Sequence, residues 1–209
     1  MPSEVRDLFD PIKESVLALH AYWKLFRQLY MSGPERVALL NATGGQFFSV
    51  VQEVLRDSLF IGIGRLTDPP KTFGKDNLSF QSLAELISHT DNDLFSHQVK
   101  PTLDSLKARS VAFRDWRNRR LAHSDLRTSL RTHPDPLPGV SPSDVDSILA
   151  EMSRLMNSIQ VHYSDTTTMY DYVLIEGDAD RMADALERAQ KHRECERREF
   201  EKQWGLKGS

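Results

Sequence analysis

A single cysteine, Cys195, stands among 209 residues, so no disulfide can close within the chain. That usage fits a reducing compartment, and a cytoplasmic protein is expected. Long apolar runs are equally scarce. The most apolar stretch, 47–66, is interrupted by Glu53, Arg56 and Asp57, which makes it a buried helix and no membrane span. No basic-then-apolar segment opens the sequence, so a secretory signal is not expected. A glycine-rich phosphate loop is missing too, because Thr43-Gly44-Gly45 lacks the Lys-Ser/Thr ending. His20, His89, His97, His133, His162 and His192 form no metal-ligand spacing with cysteine or acidic residues. Neither a metal nor another cofactor is therefore expected. Internal repeats and interdomain linkers are also lacking.

What is present is a helical, charged chain of ordinary apolar content, 39% hydrophobic and 27% charged. This length can bury one good core, as one large domain or two small ones. A net charge of −3 argues against a general nucleic-acid scavenger. Its distribution matters more. The stretch 107–131 holds eight basic residues (Lys107, Arg109, Arg114, Arg117, Arg119, Arg120, Arg127, Arg131) against Asp115 and Asp125. It is +6, which leaves −9 for the remainder of the chain. Such a stripe serves either as a solvated basic face or as a local anion site.

The apolar periodicities are almost wholly those of helices. Val5, Phe9, Ile12, Val16, Leu19, Trp23, Phe26 and Tyr30 recur at alternating spacings of four and three, one seam of a first helix that Ser32-Gly33-Pro34 ends. Trp23 and Phe26 belong to this core seam and form no base-stacking platform. A second helix is expected from about 35 or 42 to 66. Its apolar residues, among them Phe47, Phe48, Val50, Val54, Leu59 and Ile61, wrap more than one face, as on a central helix contacted from several sides. Asp68-Pro69-Pro70 stops it, 71–77 is a turn-rich loop, and Ser79 caps a short helix bearing Leu83, Leu86 and Ile87. A third long helix is expected after Pro101, carrying Leu103, Leu106, Phe113 and Leu121. The proline-rich stretch 127–142 must be a loop. Ser141-Pro142-Ser143-Asp144 starts a fourth stripe of Val145, Ile148, Met152, Leu155 and Ile159. The β-branched and aromatic 166–175 reads as extended, and Gly177-Asp178 as the cap of a last helix whose polar end beyond Leu186 projects or frays. The economical fold is all-α, an up-and-down bundle of four to six helices, with 1–190 as one domain and 191–209 as a polar helix end or tail.

Chemistry concentrates in Arg117-Asn118-Arg119-Arg120-Leu121-Ala122-His123-Ser124-Asp125. Arginine holds phosphate at any physiological pH, and histidine moves protons near neutrality. Phe113, Arg117 and Leu121 lie four apart on one helical line, so Arg117 sits in or beside the apolar seam. There its guanidinium needs a carboxylate, a neighbouring subunit or a bound phosphate. A straight helix sets Arg117 and His123 about 120° apart around its axis, so a bend or a second copy is needed to bring them together. Arg127 and His133 repeat the spacing, but in the proline-rich loop and without the amide. Arg65, near the end of the second helix, is expected to pair with Asp68 or a carbonyl.

The string Trp116-Arg117-Asn118-Arg119-Arg120-Leu121-Ala122-His123 resembles the signature of HEPN domains, an arginine and a polar residue followed after four to six positions by histidine. Ile61-Gly62-Ile63-Gly64-Arg65-Leu66-Thr67-Asp68, Leu78-Ser79-Phe80-Gln81-Ser82-Leu83 and Gly177-Asp178-Ala179-Asp180 are similar to the AbiU-type branch, a group tied to abortive infection against phage. The resemblance covers roughly residues 5–190 and implies a HEPN-like bundle that forms a homodimer, with two motifs in one cleft. It further implies a metal-independent endoribonuclease acting in phage defence or as a toxin with a cognate antitoxin. Arg117 would then bind the scissile phosphate, His123 would be general acid or base, and Asn118 would position either. Arg114, Arg119 and Arg120 would follow the RNA backbone. Asp125 would orient the imidazole or cap the helix end. It stands where HEPN proteins silenced by a partner nucleotidyltransferase carry tyrosine. The alternative is a non-catalytic HEPN-like module that binds RNA, a nucleotide or a protein partner.

Overall fold

Helix boundaries in the computed structural model follow the local signals closely. It describes residues 1–122, 137–172, 175 and 177–205, with backbone alone at 120–122. The elements are α1 (Ser3–Tyr30), α2 (Pro34–Leu66), a hairpin of β1 (Lys71–Thr72) and β2 (Lys75–Asp76), and α3 (Phe80–Thr90). They continue with the short α4 (Asn92–Leu94), α5 (Lys100–Arg109), α6 (Val111–Trp116), α7 (Pro142–Ser164) and α8 (Asp178–Gln203). Two π-wound turns, Phe95–Val99 and Arg117–Ala122, follow α4 and α6. The fold is all-α, with the hairpin as the one sheet among the described residues.

Capping explains several of these starts. Ser79 accepts from the Ser82 backbone N–H at 3.3 Å. At α7 the expected box forms in full: Ser141 Oγ accepts from the Asp144 N–H at 3.2 Å, and Asp144 Oδ2 accepts from the Ser141 N–H at 2.8 Å. The hydrogen bonds from Ser141 hold the Asp144 carboxyl below its usual range. In the hairpin, Phe73 (φ 51°) and Gly74 (φ 78°) both take positive φ, the geometry of a two-residue type I′ turn.

The chain divides into two compact units, one of Met1–Trp23 with Arg56–Leu174 and the other of Lys24–Leu55 with Ile175–Ser209. In the first, Val5, Phe9, Ile12, Val16 and Leu19 bury the α1 seam, and Leu59, Phe60, Ile63 and Leu66 that of α2. Phe80, Leu83 and Ile87 of α3 are buried, as are Leu103 and Leu106 on α5, which packs against α7. Each such side chain contributes roughly 1.5–3 kcal/mol of hydrophobic stabilisation. Close approach helps. A Cβ on Gly62 would stand 2.6 Å from Leu19 Cδ2. Trp23 Nε1 donates to Asp146 Oδ1 at 2.7 Å. The buried ring thereby satisfies its polar edge, as a core residue must.

The second unit is smaller. Leu29, Leu40, Phe48 and Ala179 form its core, flanked by Leu25, Tyr30, Val51, Leu55 and Leu186. Tyr30 Oη donates to the Phe48 carbonyl at 2.7 Å, and Arg36 pairs with Asp180 at 3.1 Å. The last helix continues to Gln203 as an exposed polar rod.

Two expectations need correction. The second helix is not covered all round, because Phe47, Val50, Val54 and Ile61 are exposed. Both proposed starts of that helix have a basis: it begins at Pro34, and extended backbone at Gly44 (φ −168°, ψ 60°) divides it. The third long helix does not wait for Pro101. Winding begins at Asn92, and Pro101 follows the π-wound turn Phe95–Val99 as the second residue of α5. The stretch expected to be extended holds no strand among its described residues: 166–169 are irregular, and turns stand at Tyr170, Asp171 and Ile175. Asn157 clamps Thr168 through its carbonyl (3.0 Å) and N–H (2.8 Å), and Tyr170 is buried. Side-chain bonding by Asn157 thus fixes the stretch at Thr168.

Candidate active site

The site grows from the end of a helix that changes pitch. After α5 the buried Ser110 donates its hydroxyl to the Lys107 carbonyl at 2.9 Å and marks the break before α6. Phe113 anchors α6 in the core, edge-on to Phe60 with ring centroids 5.3 Å apart. Trp116 meets the same ring at 5.7 Å and donates its indole N–H to the Pro138 carbonyl at 2.7 Å. With these aromatics fixed, the backbone widens into the π-wound turn Arg117–Ala122. Such turns are rare and concentrate at functional sites. Arg117–Ala122 is thus wound wider than a straight α-helix, and His123 lies outside the described residues.

Arg117 has the carboxylate that its position demanded. Its Nη1–H donates to Asp68 Oδ2 at 2.6 Å, and both side chains are more than four-fifths buried (17% and 18% exposed). Nε and Nη2 donate to Asn118 Oδ1 at 3.0 and 2.8 Å. Three of the five guanidinium N–H groups are thus directed at Asp68 and Asn118. Gly64 makes room, since a Cβ there would lie 3.0 Å from Arg117 Cδ.

Of the two partners expected for Arg65, Asp68 or a carbonyl, Asp68 is taken by Arg117. Asp68 lies just beyond the end of α2, and the arginine that reaches it comes from the facing turn after α6. Arg65 lines a separate groove with Glu14, Tyr22 and Ile61.

Arg114, Arg117 and Asn118 share the wall of an open cleft of about 760 Å³ with Asp68, Asp115, Val111 and the hairpin residues Thr72 and Phe73. The Arg114 Nε–H is buried and has no hydrogen-bond partner among the described residues. Arg119 turns to Asp115 at 3.0 Å, a helical neighbour four residues earlier. His123, Asp125 and the Arg120 side chain lie outside what the structure describes, as does most of the proline-rich stretch.

Sequence reasoning missed three members of this site. Gly64 was the most legible, because glycine inside a helix is unfavourable and implies a close neighbour. The spacing offers Asp68 or a carbonyl to Arg65 and carries no sign that Asp68 serves Arg117. Phe73 passed as part of a turn.

The AbiU2 family model of HEPN domains matches residues 2–182. The chain belongs to the AbiU2 HEPN family. No curated protein and no solved structure matches it. As an AbiU2 member it is an abortive-infection HEPN module, and its matched region includes the cleft that Arg117 and Asn118 line. Among the described residues of this AbiU2 protein, no helix is long and apolar enough to cross a membrane.

Proposed function

We propose that this HEPN protein is a metal-independent endoribonuclease of a phage-defence or toxin–antitoxin system, working in the cytoplasm as a homodimer. The observation that carries the reading is the cleft in which Arg117, Asn118 and Arg114 stand together, within the stretch that resembles the HEPN motif. Arg117 directs three N–H groups at Asp68 and Asn118. Its guanidinium carries five, so two remain to take the non-bridging oxygens of a phosphodiester.

In the proposed reaction His123 of one copy removes the proton from a ribose 2′-hydroxyl. The oxygen attacks the adjacent phosphorus, and the bond to the 5′-oxygen breaks. That leaving oxygen is protonated by the second copy's histidine, which leaves a 2′,3′-cyclic phosphate and a 5′-hydroxyl. Arg117 stabilises the charge gathered on the phosphoryl oxygens, and Asn118 holds Arg117 in line. Arg119 and Arg120 follow the strand, Asp125 orients the imidazole, and a cognate antitoxin is the natural silencing partner.

A second reading has one observation in its favour: Asp68 already neutralises Arg117. A non-catalytic module would use the same residues to bind RNA, a nucleotide or a protein partner. Incubation with total RNA in EDTA separates the two. The enzyme cleaves, and both Arg117→Ala and His123→Ala abolish cleavage. Intact RNA with the wild-type protein, or cleavage that survives either substitution, refutes it.

A further inference from the structure

The hairpin beside the cleft carries a residue that neither the fold nor the turn calls for. Phe73 is fully exposed, at 102% of its reference surface, so its ring contributes nothing to the core. Its backbone has φ 51°, in the left-handed region where a bulky side chain is an outlier and where Gly, Asn or Asp is the usual choice. An exposed aromatic in a strained turn is disfavoured on both counts. Observed strain of this kind points toward a site.

The hairpin is also braced. Asn77 Nδ2–H groups donate to the Pro69 carbonyl at 2.8 Å and to Thr72 Oγ1 at 2.7 Å, and the Asn77 backbone N–H donates to the Pro70 carbonyl at 2.8 Å. The strand ends pair Lys71 with Asp76 at 3.3 Å. Asp68, which grips Arg117, stands immediately before this braced segment. One short stretch therefore sets both the guanidinium and the aromatic ring on the same cleft.

We propose that Phe73 is a nucleobase platform, and that the cleft takes single-stranded RNA with a base laid on the Phe73 ring and its phosphate at Arg114 and Arg117. This rests on the ribonuclease or RNA-binding reading above and adds the strandedness of the substrate and the residue that recognises it. Cationic walls with an exposed aromatic are the combination that binds single strands, because every base has a π-face. In a duplex the bases are already stacked on one another, and the deep, narrow major groove of A-form RNA admits no side chain. A ring on a two-residue turn reaches only an unpaired base.

The test uses the full chain and a fluorescein-labelled 12-nucleotide 2′-O-methyl RNA, which lacks the nucleophile and stays intact while anisotropy gives Kd. Phe73→Ala should weaken binding about 5- to 100-fold, the range of base–aromatic stacking. Phe73→Trp should bind within about threefold of wild type and add tryptophan fluorescence that RNA quenches, as stacking on any aromatic ring predicts. A 12-base-pair duplex of the same sequence should bind all three proteins alike. Phe73→Ala binding like wild type while Arg117→Ala binds weakly overturns the platform and leaves the RNA reading intact. Equal loss for single strand and duplex overturns the strandedness. If the wild-type protein binds no RNA, the platform and the reading beneath it fall together. Thermal melting of Phe73→Ala checks that the substitution, at an exposed site, leaves the fold unchanged.

Discussion

Replacing Asp68 with asparagine tests whether the Arg117–Asp68 pair is a structural clamp. The pair is 2.6 Å long, with less than a fifth of either side chain exposed. A fully exposed ion pair contributes about 0.2–1 kcal/mol, and breaking a fully buried one costs about 3–5 kcal/mol. This pair lies between those limits. Asn118 goes on accepting from Nε and Nη2 in the variant, so Arg117 is not left bare. The expected loss for Asp68→Asn is then about 1–2 kcal/mol, above the exposed limit and below the buried one. For a protein of this length that lowers Tm by roughly 2–8 °C. A double-mutant cycle isolates the pair itself: Asp68→Asn, Arg117→Met and the combination, each unfolded in urea and followed by circular dichroism. We expect a coupling of about 1–2 kcal/mol. Additivity to within about 0.5 kcal/mol, the scatter of independent sites, would refute the clamp.

Two further outcomes follow from the core of the first unit. Gly62→Ala places a Cβ against Leu19 Cδ2, at 2.6 Å in the unrelaxed geometry. Overpacking of about 1–3 kcal/mol outweighs the gain of about 1 kcal/mol in helix propensity, so urea unfolding should show a net loss, and a more stable variant would mean that Leu19 yields freely. His20 is a pH probe: burial lowers its imidazole pKa from the ordinary value of about 6.5, and its Nε2 lies 2.9 Å from Ser153 Oγ. The folded state keeps the ring neutral, so its contribution is complete above about pH 6.5 and is lost as pH falls through the depressed folded value. The Tm of wild type should drop more between pH 7.5 and 5.5 than that of His20→Gln. Parallel curves for the two proteins would rule His20 out as the source.

Much of the architecture was legible because its causes are local. Ser79 and the Ser141–Asp144 box announce helix starts through bonds spanning three residues. The seam from Val5 to Trp23 reads directly as one buried face. Exposure of Phe47, Val50 and Val54 was not legible, since periodicity marks an apolar face without saying what covers it. The turn that holds Phe73 could be expected from Gly74, whereas the brace of Asn77 across to Pro69 could not.

The sequence by itself determined the helical class, most boundaries, the family and the need of Arg117 for a counter-charge. These rest on 3.6-residue periodicity, on capping bonds within a turn and on the cost of an unpaired guanidinium near a core. Only the tertiary structure decided which carboxylate answers that need. Arg65 is three residues from Asp68 and Arg117 is 49 away, yet Asp68 pairs with the distant one. Helix α2 ends before Asp68, and the bare Cα of Gly64 lets the Arg117 side chain lie against it. Proximity along the chain therefore does not choose the partner of Asp68, and packing between helices does.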